Sequence, residues 1–233
     1  MSENDLTILF YTANKISDYF MSNVISQLKK AVGDTPIISI SHKPMDLGEN
    51  ICVQMERSIY SIYKQILIGA KAAKTKYIAT AEDDVLYPAD HFQYRPEDGV
   101  LAYDLNKWSI LTWHKPPIYS KRENRRTMTS LIADREALIA TLEERYTKYP
   151  LKSLVPQNLL DLYWGEPGRF ENHLGITPIN TEKFECEVPS VVFSTPESLG
   201  FEVLGARKAH GPIRAEEVPY WGKASDVLKL YQP

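Results

Sequence analysis

Three short, apolar, β-prone runs constrain what the first hundred residues can fold into. They are "LTILFYT" (Leu6–Thr12), "PIISIS" (Pro36–Ser41) and "KYIATA" (Lys76–Ala81), and each is separated from the next by a stretch of helical period. Between the first two, Ile16, Phe20, Val24, Leu28 and Val32 recur at every fourth position, which is one face of a helix. Between the second and third, from about Val53 to Ala73, Ile59, Ile62, Tyr63, Ile66, Leu67 and Ala70 mark a longer one. The loop "HKPMDLGEN" follows the second strand. Strands that alternate with helices in this way predict an α/β fold, with a parallel sheet and right-handed crossovers.

In such sheets ligands bind beyond the carboxyl ends of the strands. Three ends therefore matter together: Tyr11-Thr12-Ala13, Ser41-His42-Lys43 and Glu82-Asp83-Asp84. The first two carry polar groups able to hold a nucleobase and a ribose. The third places three carboxylates side by side where a buried strand leaves the core. Like charges repel and desolvation sharpens the repulsion, so a positive partner is expected there. Carboxylate oxygens are ligands for a hard cation. The plain alternative is a solvated acidic turn that caps the next element.

The second half is less regular. "VLAYDLNKWSILTW" reads as two strands joined across Asp104–Lys107, and "TSLIA" as another strand, with Asp134 capping a helix through about Tyr146. A short helix is expected over "QNLLDLYW", late strands over "FECEV" and "SVVFST", and a terminal helix over "ASDVLKLY". No Pro/Gly/Ser linker and no repeat divides the chain. One domain is expected, with residues 1–98 as a nucleotide-binding half and residues 99–233 as an acceptor-side half. The net charge of −3 gives no overall field toward nucleic acid or anionic membrane, so any such contact needs a local patch. The two cysteines, Cys52 and Cys186, lack metal-type or redox-type spacing and fit a reducing compartment. The acidic start is unlike a signal peptide, and no run is long enough to span a membrane. A soluble, cytoplasmic protein with no membrane partner is the expectation.

The segments "ILFYTAN", "IISIS", "IYKQILIGAKAAKTKYIATAEDDVLYP" and "KAHGPI" together resemble the GT-A fold of nucleotide-sugar-dependent glycosyltransferases. Glu82 and Asp84 fall on the two acidic positions of that family's D-x-D pattern. The resemblance implies a single GT-A-like domain, with a mostly parallel central sheet flanked by helices and a Rossmann-like nucleotide half. It implies transfer of a hexose or pentose from a nucleoside diphosphate sugar, with a UDP-sugar expected, to an acceptor hydroxyl. It places Tyr11, Thr12, Ala13, Ser41, Glu82 and Asp83 at the donor. Mn²⁺ or Mg²⁺ would be held by Asp84, Glu82 and the late His210. A catalytic base is sought in "GEPGRFENHLG", with Glu171 ahead of Glu166. There the family's E-D pair reads Glu171-Asn172, which leaves the stereochemical outcome open.

"HKPPIYSKRENRR" gathers Lys115, Lys121, Arg122, Arg125 and Arg126 in a proline-interrupted loop. It could close over the diphosphate, follow a nucleic-acid backbone, or lie solvated. Similar small phage-encoded enzymes glycosylate modified DNA bases. A hydroxymethylated base in phage DNA is thus a candidate acceptor, contacted by Lys121, Arg122, Arg125 and Arg126 in a host cytoplasm. Two alternatives stand beside this reading. A nucleotidyltransferase would need a glycine-rich loop after the first strand, where "YTANKISDYF" has none. A non-catalytic carbohydrate- or nucleic-acid-binding relative would have no use for three crowded carboxylates.

Overall fold

A computed structural model describes residues 5–195 and 211–232. Strand β1 (Leu6–Thr12) is buried at all seven positions, as its unbroken apolar run requires of a strand covered on both faces. Helix α1 (Asp18–Val32) starts at Ser17, whose hydroxyl accepts from the Phe20 amide, and buries Phe20, Val24, Leu28 and Val32. Strand β2 (Ile37–Ser41) follows, and then β3 (Glu49–Cys52), which lies where the sequence suggests only a loop. This edge strand is half-exposed, and the Asn50 amide ties it to the Ser39 carbonyl and the Ser41 hydroxyl. Helix α2 (Ile59–Ala72) begins later than the apolar pattern suggests, because Ser58 caps it by accepting from the Ser61 amide. Strand β4 (Tyr77–Glu82) then delivers the acidic triplet.

A seven-stranded sheet is built from these with β6 (Val100–Asp104), β9 (Leu131–Asp134) and β10 (Asn180–Phe184). Its order is β10-β6-β9-β4-β1-β2-β3, parallel except for β9, which runs antiparallel to both neighbours. Asp134 caps helix α3 (Arg135–Lys148) by accepting from the Ala137 amide, as expected. Strand β10 lies earlier than the expected "FECEV". It pairs with β6 only as far as Phe184, and the Cys186 amide then turns aside to the Asp104 carboxylate.

A second, five-stranded sheet has no counterpart in the sequence reading. Its order is β12-β8-β7-β11-β5, formed by β5 (Val85–Leu86), β7 (Lys107–Leu111), β8 (Tyr119–Lys121), β11 (Ser190–Ser194) and β12 (Ile213–Ala215). The two strands joined across Asp104–Lys107 thus enter different sheets. One apolar cluster joins the first sheet to α1 and the second sheet through Phe10, Phe20, Ile110 and Phe193. The other covers the opposite face with α2, α3 and the segment through Trp164 and Leu174. That segment carries the short helices α4 (Gln157–Leu162) and α5 (Glu171–Leu174), and α6 (Ala224–Val227) lies near the end.

Two glycines in left-handed backbone differ in surroundings. A Cβ on Gly48 (φ +61°) would meet the Ile37 carbonyl oxygen at 2.1 Å, whereas one on Gly99 (φ +75°) would meet nothing within 4 Å. Gly99→Ala should cost only the conformational penalty, about 1–2 kcal/mol. Gly48→Ala should cost clearly more, since β2 must also move. Urea unfolding of both variants checks this, and equal losses would contradict the steric account.

Candidate active site

The three carboxylates at the end of β4 are separated by direction. The Tyr11 hydroxyl donates to Glu82 Oε1, and the Thr12 hydroxyl donates to Asp83 Oδ2 at 2.5 Å. Asp84 is buried, and its backbone carbonyl accepts from the Phe193 amide of β11 at 2.7 Å. Desolvation raises the Asp83 carboxyl above its ordinary range, against the opposing pull of the Thr12 hydrogen bond and Arg57. Burial and the neighbouring Glu82 charge likewise push the Tyr11 phenol well up, so it remains a donor.

Glu82 and Asp84 line one cavity of about 320 Å³, and Asp83 does not. Other walls come from Arg122, Arg125, Lys107 and Glu166, with Tyr63 and Met128 among the apolar contributors. Exposed Ile59 and Ile62 of α2 line it as well. Two acidic residues at and just past the end of β4, two arginines of the basic loop and Glu166 of the 163–170 segment therefore line one space. Carboxylate oxygens such as those of Glu82 and Asp84 are of the kind Mg²⁺ or Mn²⁺ takes.

The other expected residues distribute as follows. Tyr11, Thr12 and Ser41 are buried, and their hydroxyls are used within the strand ends, Ser41 donating to the Lys43 carbonyl at 2.7 Å. Ala13 is half-buried beside them. Glu171 is buried and paired with Arg145 at 3.3 Å, and it is not among the cavity-lining residues, whereas Glu166 is. Lys121 donates to Asn106 Oδ1 at 3.2 Å and Arg126 to the Thr181 hydroxyl at 2.9 Å, and neither lines the cavity. His210 lies outside the described residues.

Several groups that shape the site escaped the sequence reading. Asn14 Oδ1 accepts from the amides of both His42 and Lys43 at 2.9 Å, and Gln65 Nε2 donates to the carbonyls of Thr12 and Ile40 at 3.1 Å. Together they lock the ends of β1 and β2. Lys107 is buried, and its ammonium donates to the Asp104 carbonyl (2.9 Å), the Arg125 carbonyl (2.6 Å) and the Ser130 hydroxyl (3.1 Å). It thus fastens the arginine loop to the sheet. A lysine in a strand-joining turn gives no sequence signal of burial. Arg145 does give one, since it continues the buried stripe of Leu138 and Leu142 on α3.

Away from the cavity, His91, Asp104 and Cys186 bring one potential metal-ligand atom each to within 4.8 Å of one another. Asp104 Oδ1 accepts from the Asn106 amide (2.8 Å) and the Cys186 amide (3.3 Å), and Oδ2 lies 3.0 Å from His91 Nδ1. Burial opposes ionisation of Asp104, yet the His91 contact and the hydrogen bonds from Asn106 and Cys186 together outweigh it and hold the carboxyl below its ordinary range. Burial and Asp104 push the Cys186 thiol up.

No protein-family model matches the chain, and no curated protein matches it. Among solved structures, a nucleotidyl transferase from Methanothermobacter thermautotroptrophicus is similar at 14% identity and a TM-score of 0.41, over 77% of this chain and 88% of that one. S. aureus TarS is similar at 9% identity and a TM-score of 0.45, over 83% of this chain, which spans only 37% of TarS. A glycosyltransferase involved in the glycosylation of the major capsid of PBCV-1 is similar at 12% identity and a TM-score of 0.42, over 80% of this chain and 92% of that one. Likenesses at TM-scores below 0.5 carry no function over to this chain.

Burial holds the Lys107 ammonium down to about 8, with the Asp104 charge opposing the shift and Arg125 adding to it. Between about pH 8 and the unfolded value near 10.5, the unfolded chain binds a proton that the folded chain lacks. The Lys107 contribution to stability therefore rises with pH across that window, by up to about 1.4 kcal/mol per unit. Urea unfolding from pH 8 to 10 should show wild type gaining on Lys107→Met as pH rises. A constant difference would mean that Lys107 titrates as in water.

Proposed function

We propose that the chain is a metal-dependent glycosyltransferase that moves a sugar from a nucleoside diphosphate sugar, a UDP-sugar in the first instance, to an acceptor hydroxyl. One observation carries the reading: Glu82 and Asp84 line the same cavity as Arg122 and Arg125. Paired carboxylates suit a divalent cation, and paired guanidinium groups suit phosphate oxygens. A cavity offering both fits a diphosphate–metal unit better than either charge alone would. A bound Mg²⁺ or Mn²⁺ would supply charge neutralisation on the departing diphosphate. Glu82 and Asp84 would hold it, and His210 remains a further proposed ligand.

The chain's own groups then divide the work. Arg122 and Arg125 bind the diphosphate and stabilise the charge it gains as its bond to the anomeric carbon breaks. Glu166 takes the proton of the acceptor hydroxyl whose oxygen forms the new bond to that carbon. We place Glu166 in this role rather than Glu171, because Glu166 lines the cavity and its ion-pair partner Arg169 is exposed, whereas Glu171 lies off the cavity in a buried pair with Arg145. The ends of β1 and β2, through Ala13, Ser41 and the groups that Asn14 and Gln65 fix, are the proposed nucleoside side. The basic loop is proposed as a diphosphate clamp rather than a DNA track, since Lys121 and Arg126 are engaged within the protein. Nucleotidyl transfer ranks second, as no glycine-rich phosphate loop follows β1.

UDP with Mn²⁺ should raise the thermal midpoint by about 5–10 °C at roughly a hundred times the dissociation constant, and each alone should raise it less. Asp84→Ala should stay folded and lose most of this joint effect, because removing a carboxylate from a crowded strand end relieves repulsion. A joint effect of full size in Asp84→Ala, or none in wild type across nucleoside diphosphates, would overturn the proposal.

A further inference from the structure

Glu166 stands in a segment without regular secondary structure, between α4 and α5, yet the carbonyl of the residue on each side of it is held. Arg145 Nη1 donates to the Gly165 carbonyl at 2.9 Å, and the Tyr103 hydroxyl donates to the Pro167 carbonyl at 2.7 Å. Both donors are fully buried, with 0% of their surface exposed. The second arm of Arg145 reaches Glu171 Oε1 at 3.3 Å, so one guanidinium joins both ends of the 165–171 stretch. That guanidinium is itself held, its carbon lying 5.1 Å from the Trp164 ring centre and 5.3 Å from that of Tyr63, a cavity-lining residue.

The glycines of the segment are seated against the protein. A Cβ on Gly165 would lie 2.9 Å from the Phe170 ring, and one on Gly168 would lie 1.9 Å from Thr181 Cγ2. An aliphatic side chain would fill the volume of Arg145 without the desolvation cost of a buried charge. A guanidinium there is explained by the two groups it joins.

We infer that Arg145 and Tyr103 are positioning residues, which clasp the carbonyls of Gly165 and Pro167 on either side of Glu166 and so fix where Glu166 meets the cavity. The inference rests on the proposed role of Glu166. A base must sit within hydrogen-bond reach of the proton it takes, and a misplacement of about 1 Å costs on the order of a hundredfold in rate. A loop without helix or strand cannot hold that tolerance by its own backbone. Burial, with the Glu166 charge nearby, raises the Tyr103 phenol well above its ordinary range, so its hydroxyl stays a donor throughout the working pH range.

The test uses the full chain with UDP-glucose or UDP-N-acetylglucosamine and Mn²⁺, scoring sugar release to water, in Tyr103→Phe, Arg145→Lys and Glu166→Gln. Tyr103→Phe keeps the ring and removes one hydroxyl, so it decides the matter even where Arg145→Lys folds poorly. It should lower kcat about tenfold or more while the KM for donor stays within about twofold, because the diphosphate groups are untouched. Amide hydrogen exchange should speed up over residues 163–171 and stay unchanged in β1 and β4. Unchanged exchange there, or an unchanged kcat in Tyr103→Phe beside an inactive Glu166→Gln, overturns the clasp. Wild-type turnover in Glu166→Gln instead removes the role of Glu166, and the clasp as a positioning device falls with it.

Discussion

Three ionisable carboxylates in consecutive positions at the end of a buried strand are the constraint around which the site is organised. Their mutual repulsion at this depth has to be answered locally, and the fold answers it by giving Glu82 and Asp83 separate hydroxyl donors. Glu82 takes the Tyr11 phenol and Asp83 the Thr12 hydroxyl, both from the neighbouring strand. Glu82 and Asp84 keep a face toward the cavity, where Arg122 and Arg125 also stand. The parallel pairing of β1 with β4 makes this possible, because its register sets Tyr11 beside Glu82. An antiparallel neighbour would have brought the other end of its strand to the same place.

Polar side chains, buried except for half-buried Asn14, then hold irregular backbone where the site needs it. Asn14 and Gln65 fix the strand ends, Lys107 fastens the arginine loop, and Arg145 with Tyr103 grips the segment bearing Glu166. Each such group bears a desolvation cost that only satisfied hydrogen bonds offset. The loops around the cavity therefore depend on side chains from the regular elements, which is how a rigid scaffold can present mobile-looking segments in one geometry.

Much of the scaffold was legible in the sequence where burial was total. The runs at Leu6–Thr12 and Tyr77–Glu82 are apolar because both faces of the sheet are covered. Strand β3 was not legible, because an edge strand with half its side chains in water carries little pattern. The second sheet was not legible either: β7 pairs with β11, some eighty residues on, and pairing over that distance leaves no local mark. That Glu82 and Asp84 stand beside the cavity was readable from their place at a strand end. That Glu166 lines the cavity while Glu171 does not was not readable, because a helix-start carboxylate looks the same whether it faces a cavity or a buried arginine. Lys107 carried no signal, while Arg145 stood on an apolar stripe where a charge is itself the signal.

The claim that Glu82 and Asp84 hold a divalent cation against a diphosphate is tested most directly by the electron paramagnetic resonance of Mn²⁺. Added protein should diminish the free-ion signal, and UDP should deepen the loss by tightening the site. Asp84→Asn, which keeps the side-chain volume and removes the charge, should leave most of the signal free under the same conditions. Equal Mn²⁺ uptake by wild type and Asp84→Asn in the presence of UDP would contradict the account.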